Sequence, residues 1–281
     1  MMLACLHFVG CTAHLFEPVL TKLQTESSVI HLLLEELAQL LRLLLHRFIK
    51  PDLLTGVTDA QLVDVPIECR PVDNCEFGAK TDELLRRLKK NKNPKLAMLQ
   101  KDMVHCLKSC VKYLQQRLPL KNQFLHNVQC LKPASRNNAE TVKMIGALCT
   151  CLPQLSDEVG FSDSVSSDWK LYQADDNITP DWATSADGST LPVDIYVSKQ
   201  TDGLGNPKYS HLMAVVKAAL SVSHGQADVE RGFSLNKLII VDNRVSLKQR
   251  TVMALCTVRD VVNRYEAVDK IPISRQLIRQ Y

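Results

Sequence analysis

Aromatic side chains are scarce: Phe, Tyr and Trp make up 5% of the 281 residues, and there are two tryptophans. Proteins that stack the bases of single-stranded nucleic acid need rings among their cations, so that class is disfavoured. The chain has no C-x-x-C pair, no glycine-rich phosphate loop and no G-x-S-x-G elbow. Those absences argue against a structural zinc site, a P-loop nucleotide site and a hydrolase nucleophile. Internal repeats and low-complexity runs are lacking as well. A net charge of +4 is too small to name a partner. A membrane span is not expected either, because the most apolar long run, 29–49, contains Glu35, Glu36, Arg42 and Arg47. The opening MMLACLHFVGCTAHLFEPVL has no basic lead and is broken by His7 and His14, which argues against a signal peptide. It starts in mid-hydrophobic pattern without a cap, as the later part of a longer protein does.

What is present is enough for a core. The composition is 46% hydrophobic and 23% charged. Ten cysteines in 281 residues fall short of a disulfide scaffold. Several lie inside helical patterns, as reduced thiols of a cytosolic or nuclear protein do. The cluster HCLKSC (His105, Cys106 and Cys110) invites a zinc reading, yet both cysteines fall on an apolar helix stripe.

The first half reads as successive helices. Residues 28–49 put Ile30, Leu33, Leu34, Leu37, Leu41, Leu44, Leu45 and Phe48 on one broad face, with Pro51 as the stop. A second helix is expected over 81–90. Asn93 and Pro94 then suit the cap and first turn of a third, whose stripe runs Leu96, Leu99, Met103, Cys106, Cys110, Tyr113, Leu114. A fourth fits 137–152, with Asn137 and Glu140 in capping-box spacing. Residues 156–206 read as an acidic, loop-rich connector with a short helix at SDWKLYQ. LPVDIYV (191–197) is the best strand candidate. Helices return at 211–220, after Ser223, and after Ser246. The fold expected is mostly α with few or no strands, in three regions: 1–155, 156–206 and 207–281.

Charge is unevenly spread. Residues 76–122 hold twelve Lys or Arg against four Asp or Glu, whereas 153–190 hold eight acids against one Lys. The run LLRRLKKNKNPK carries Arg86, Arg87, Lys89, Lys90 and Lys92, and the excess continues to Lys121. Two readings compete: a grip on duplex DNA phosphates, or the solvated face of two helices. Among the acids, Glu230 stands out in SHGQADVERGFSLNKLI, where Ala227, Phe233 and Ser234 are poor company for a solvated carboxylate. It needs a cation or a metal from elsewhere. Asp242 and Asp194 imitate strand-tip aspartates but read better as helix-end or loop residues. Asp175 and Asp176 read as solvated.

The stretch 211–262, centred on SHGQADVERGFS, resembles the C-terminal dimerisation region of hAT-superfamily transposases. Residues 15–54 and SDWKLYQ resemble the helical insertion of the same proteins. The resemblance implies a ribonuclease H-like core interrupted by that insertion, and DNA cleavage by three acids with Mg or Mn. Glu230 matches the third acid; the first two precede the insertion and have no counterpart in this chain. The expectation is a truncated, transposase-derived nuclear protein, not an enzyme as the chain stands, with no cofactor and no small-molecule substrate. It would self-associate through Phe233, Leu255, Val258 and Val262, contact duplex DNA through 84–121 and avoid membranes. Two alternatives remain. One is the C-terminal part of an active transposase whose aspartates lie upstream. The other is a recruited scaffold that binds a protein through the 96–114 stripe.

Overall fold

Helix α3, Ile30–His46, is the element on which the first part of the chain packs. Its leucine-rich face is broader than one stripe, and nine of its seventeen residues are buried. Leu41, Leu44, Leu45 and Phe48 lose all contact with water. Each fully buried leucine contributes about 2 kcal/mol of transfer free energy. The structure, a computed structural model, describes residues 1–25, 28–152, 155, 160–176, 178, 193–223 and 248–272.

The described residues are mostly helical and contain no strand. Extended pairing is limited there to the isolated bridges Ile49–Cys69 and Thr201–Pro207. In chain order the helices are α1 (Met2–Ala13), α2 (Glu17–Leu23), α3, α4 (Ala79–Lys90), α5 (Leu96–Arg117), α6 (Gln123–Asn127), α7 (Thr141–Thr150), α8 (Phe161–Ala174), α9 (Val193–Ser198), α10 (Ser210–Leu220) and α11 (Gln249–Tyr265). The chain divides into two units, Met1–His224 and Gly225–Tyr281.

Within the first unit α3 meets α2, α5, α6 and α10. Helix α1 packs on α4, and the approach is close because residue 78 is glycine. Gly78 has φ +101°, and a Cβ there would fall 2.5 Å from the Cys11 sulfur. Phe8 meets Phe77 edge-on beside it, with ring centroids 6.0 Å apart. There is no clear membrane-spanning helix among the described residues. The run 2–23 is long and apolar enough by length and composition. It is interrupted by a turn at 14–16, carries Glu17 and Lys22, and sends Ala4, Phe8 and Val19 into the core.

Several expectations need correction. In the described part of 156–206, α8 packs on α7 and α10, and Trp169 is buried. Helix α10 packs on α3, α8 and α9 inside the first unit. Described residues of LPVDIYV form α9 rather than a strand. Val193 and Val197, four apart, are buried against α10 while Ile195 is exposed, so a helical face wins over the apparent alternation. Asn93 and Pro94 stand before α5 rather than in it; the Asn93 side chain accepts the Lys95 N–H at 3.0 Å, and the helix begins at Leu96. Before α7 the cap-like bond comes from Asn138, which accepts the Glu140 N–H at 3.0 Å.

Candidate interaction surfaces

The cations of 84–95 flank the turn between α4 and α5. That turn closes α4 by a pair of crossing bonds: Asn93 N–H to Leu88 C=O at 3.1 Å and Lys92 N–H to Lys89 C=O at 3.0 Å. The motif demands a left-handed residue, normally glycine. Here it is Lys92, with φ 51°. Lys90, Lys92 and Lys95 are exposed and form no ion pair with any described residue. Arg87 pairs with Glu83, Lys89 with Asp73 at 3.0 Å, and Arg86 sends its Nε to the Asp82 carbonyl at 3.2 Å. Exposed pairs of this kind are screened by water and yield to a phosphate.

The basic surface continues along α5. Lys101, His105, Lys108 and Lys112 fall within about 60° of one another around the helix. They lie away from the face on which Leu99, Met103, Leu107 and Val111 are buried. Arg117 lies over the Tyr113 ring at 5.5 Å, and Lys121 pairs with Asp64 at 2.7 Å. The twenty-two residues of α5 span ~33 Å, so the cations of 84–121 form a track rather than one cluster. The same helix removes the 96–114 stripe as a free docking surface. Leu99 and Met103 pack into the core, leaving Cys106 and Tyr113 exposed.

Helix α11 is different in kind. None of its described side chains is buried. Leu255 and Val258 are exposed, and Val262 and Tyr265 are half-buried. These four follow a 3-4-3 spacing, the seam of a coiled coil. Phe233, the other residue expected on this surface, lies outside the described residues.

Among the described residues no three His, Cys, Asp or Glu side chains could hold a metal ion. Glu230 and Asp242 lie outside the described residues, and Asp194 sits in the first turn of α9. No disulfide links the described cysteines. Burial pushes the Cys130 thiol up to about 12, which makes it a packing group rather than a nucleophile.

Two buried polar arrangements escaped the sequence reading. Arg136 is almost wholly buried. Its guanidinium donates to the carbonyls of Tyr172 (2.9 Å), Gln173 (2.9 Å), Asp175 (2.6 Å) and Ile178 (2.5 Å), closing the end of α8. Asp175, expected in solvent, is buried and accepts the Tyr209 hydroxyl at 2.6 Å and the Lys208 ammonium. Burial, reinforced by the hydrogen bond to Asp175, raises the Tyr209 phenol well above its usual range. From α8, Asp168 accepts the N–H groups of His211 (2.9 Å) and Leu212 (3.1 Å) and so caps α10. The second is His31 on the first turn of α3. Burial, then the charge of Lys132, lower its pKa to about 4, and its Nδ1 has no hydrogen-bond partner. A lone Arg or His in sequence carries no mark of such burial. These groups hold helices together; none is arranged for proton or group transfer.

No family model matches this chain, and no curated protein or solved structure is similar to it.

Proposed function

We propose that this chain is an association module of hAT-transposase descent. It pairs with a second copy through α11 and contacts duplex DNA through the α4–α5 turn and the outer face of α5. In this reading the helical part corresponds to the insertion of a ribonuclease H-like core, and the site of action is the nucleus. Cleavage of the parental type needs three converging carboxylates with Mg or Mn. Glu230 supplies one, and the reading assigns no other to this chain.

The observation that carries the proposal is the state of α11. None of the described side chains of this seventeen-residue helix is fully buried, and helices of this length draw their stability from packing. The Leu255–Val258–Val262–Tyr265 seam is self-complementary, as a symmetric pair requires. The resemblance of 211–262 to a dimerisation region points the same way.

Sedimentation of the full chain at rising concentration tests it. A concentration-dependent dimer is expected, and Leu255→Asp combined with Val258→Asp should weaken it at least ~10-fold by burying charge in the seam. A monomer at all concentrations, or a dimer indifferent to both changes, would refute the pairing. For DNA, affinity should fall with salt, and each of Lys90→Gln, Lys92→Gln and Lys95→Gln should flatten the log–log slope by about 0.9. Binding that does not respond to salt would remove the DNA half of the reading.

A further inference from the structure

Beside the α4–α5 turn the surface opens into a cleft of about 350 Å³, lined by the 73–77 segment, α4 and the first turns of α5. That volume lies in the range of small-ligand sites. Its lining includes apolar groups, Phe77 and Leu85 (both buried) and Leu96. Three carboxylates and two cations also line it, and most of them are spoken for. Asp73 is held by Lys89 at 3.0 Å, and Glu76 by Arg70 at 3.4 Å.

Two charged groups are left. Asp82 is half-buried and accepts the Phe77 N–H at 3.2 Å, but no side-chain cation bonds to it. Its burial keeps the carboxyl above the ordinary carboxylate range, so a donor placed against it would be strongly favoured. Arg86 sends its Nε to the Asp82 carbonyl, and its terminal nitrogens bond to no described residue. The two side chains sit one helical turn apart on α4 yet form no ion pair with each other. The cleft therefore offers a half-buried negative group and an exposed positive group one helical turn apart, next to apolar walls.

We propose that this cleft binds a small zwitterion, an α-amino acid with an apolar side chain. The ammonium meets Asp82, the carboxylate takes the Arg86 guanidinium as a two-point partner, and the side chain lies on Phe77, Leu85 and Leu96. A free phosphate is disfavoured by the surplus of carboxylates, and a simple cation by Arg86. The site holds a ligand rather than transforming a substrate; it does not involve the pairing surface, and it shares Arg86 with the DNA surface.

L-Leucine and L-phenylalanine titrated into the full chain, followed by amide NMR shifts, test it. Saturable binding is expected, with shifts confined to 73–100. N-Acetyl-phenylalanine, which lacks the ammonium, and phenylalaninamide, which lacks the carboxylate, should each bind at least ~10-fold more weakly, since each leaves one charge unmet. Arg86→Gln should weaken the amino acids by a similar factor and leave phenylalaninamide unchanged. Asp82→Asn should weaken phenylalaninamide too. Should Asp82→Asn fail to fold, the two analogues on the wild-type chain carry the same discrimination. No saturation by about 10 mM for either amino acid, or equal binding to Arg86→Gln, would overturn the proposal.

Discussion

Helices α3 and α11 are both seventeen residues long and both carry an apolar face, yet α3 buries nine residues and α11 buries none of those described. The difference lies in what each face meets. The leucines of α3 have α2, α5, α6 and α10 against them. Among the described elements, the seam of α11 meets the short 268–270 turn. Amphipathic patterning says that a helix will bury a face; it does not say whether the partner is in the same chain. The comparison separates residues that make the fold from residues that the fold presents.

Three changes sharpen or break that contrast. The largest effect belongs to the core. Leu44→Ala in α3 should cost ~3 kcal/mol in urea denaturation, because it opens a cavity at a site closed to water, whereas Val258→Ala in α11 should shift dilute-chain stability by under ~0.5 kcal/mol. Equal costs would mean that α11 is packed within its own chain. Next comes pH. His31 has a folded pKa of about 4 against 6.5 unfolded, so its contribution is intact above 6.5 and is lost as pH falls towards 4. The full loss is about 3 kcal/mol, and His31→Gln should flatten the stability profile across that window while leaving α11-mediated pairing unaffected. A profile unchanged by the substitution would mean that His31 is protonated in the fold. The smallest effect is at the turn. Lys92→Gly should stabilise the first unit by ~1 kcal/mol in thermal unfolding by relieving left-handed backbone, and it should weaken DNA binding at the same time. Destabilisation would show that the Lys92 side chain packs rather than projects.

Much of the helical frame was legible because its signals are local. The leucine face of α3 and the basic end of α4 each stand in a few neighbouring residues, although α3 ends at His46, before the expected stop at Pro51. Misreadings came where two periods fit one short run. Val193, Ile195 and Val197 alternate like a strand, and only packing on α10 selects the helix. The sites fared less evenly. The exposed lysines at 90, 92 and 95 follow from composition. The Asp82–Arg86 cleft does not, because an acid and a base four apart on a helix look like an ordinary surface ion pair. Arg136 and Asp175 were invisible for a related reason: their partners are backbone carbonyls and side chains 33 to 42 residues away. Glu230, the most specific residue of the family resemblance, lies outside the described residues, so its surroundings rest on that resemblance alone.

Amide hydrogen exchange of the full chain at low and high concentration tests the central contrast most directly. Protection in α3 should be the same at both concentrations, since its partners are in the chain. Protection across 249–265 should rise with concentration as a second copy covers the Leu255–Val258–Val262 seam. Concentration-independent protection of α11, equal to that of α3, would contradict the account.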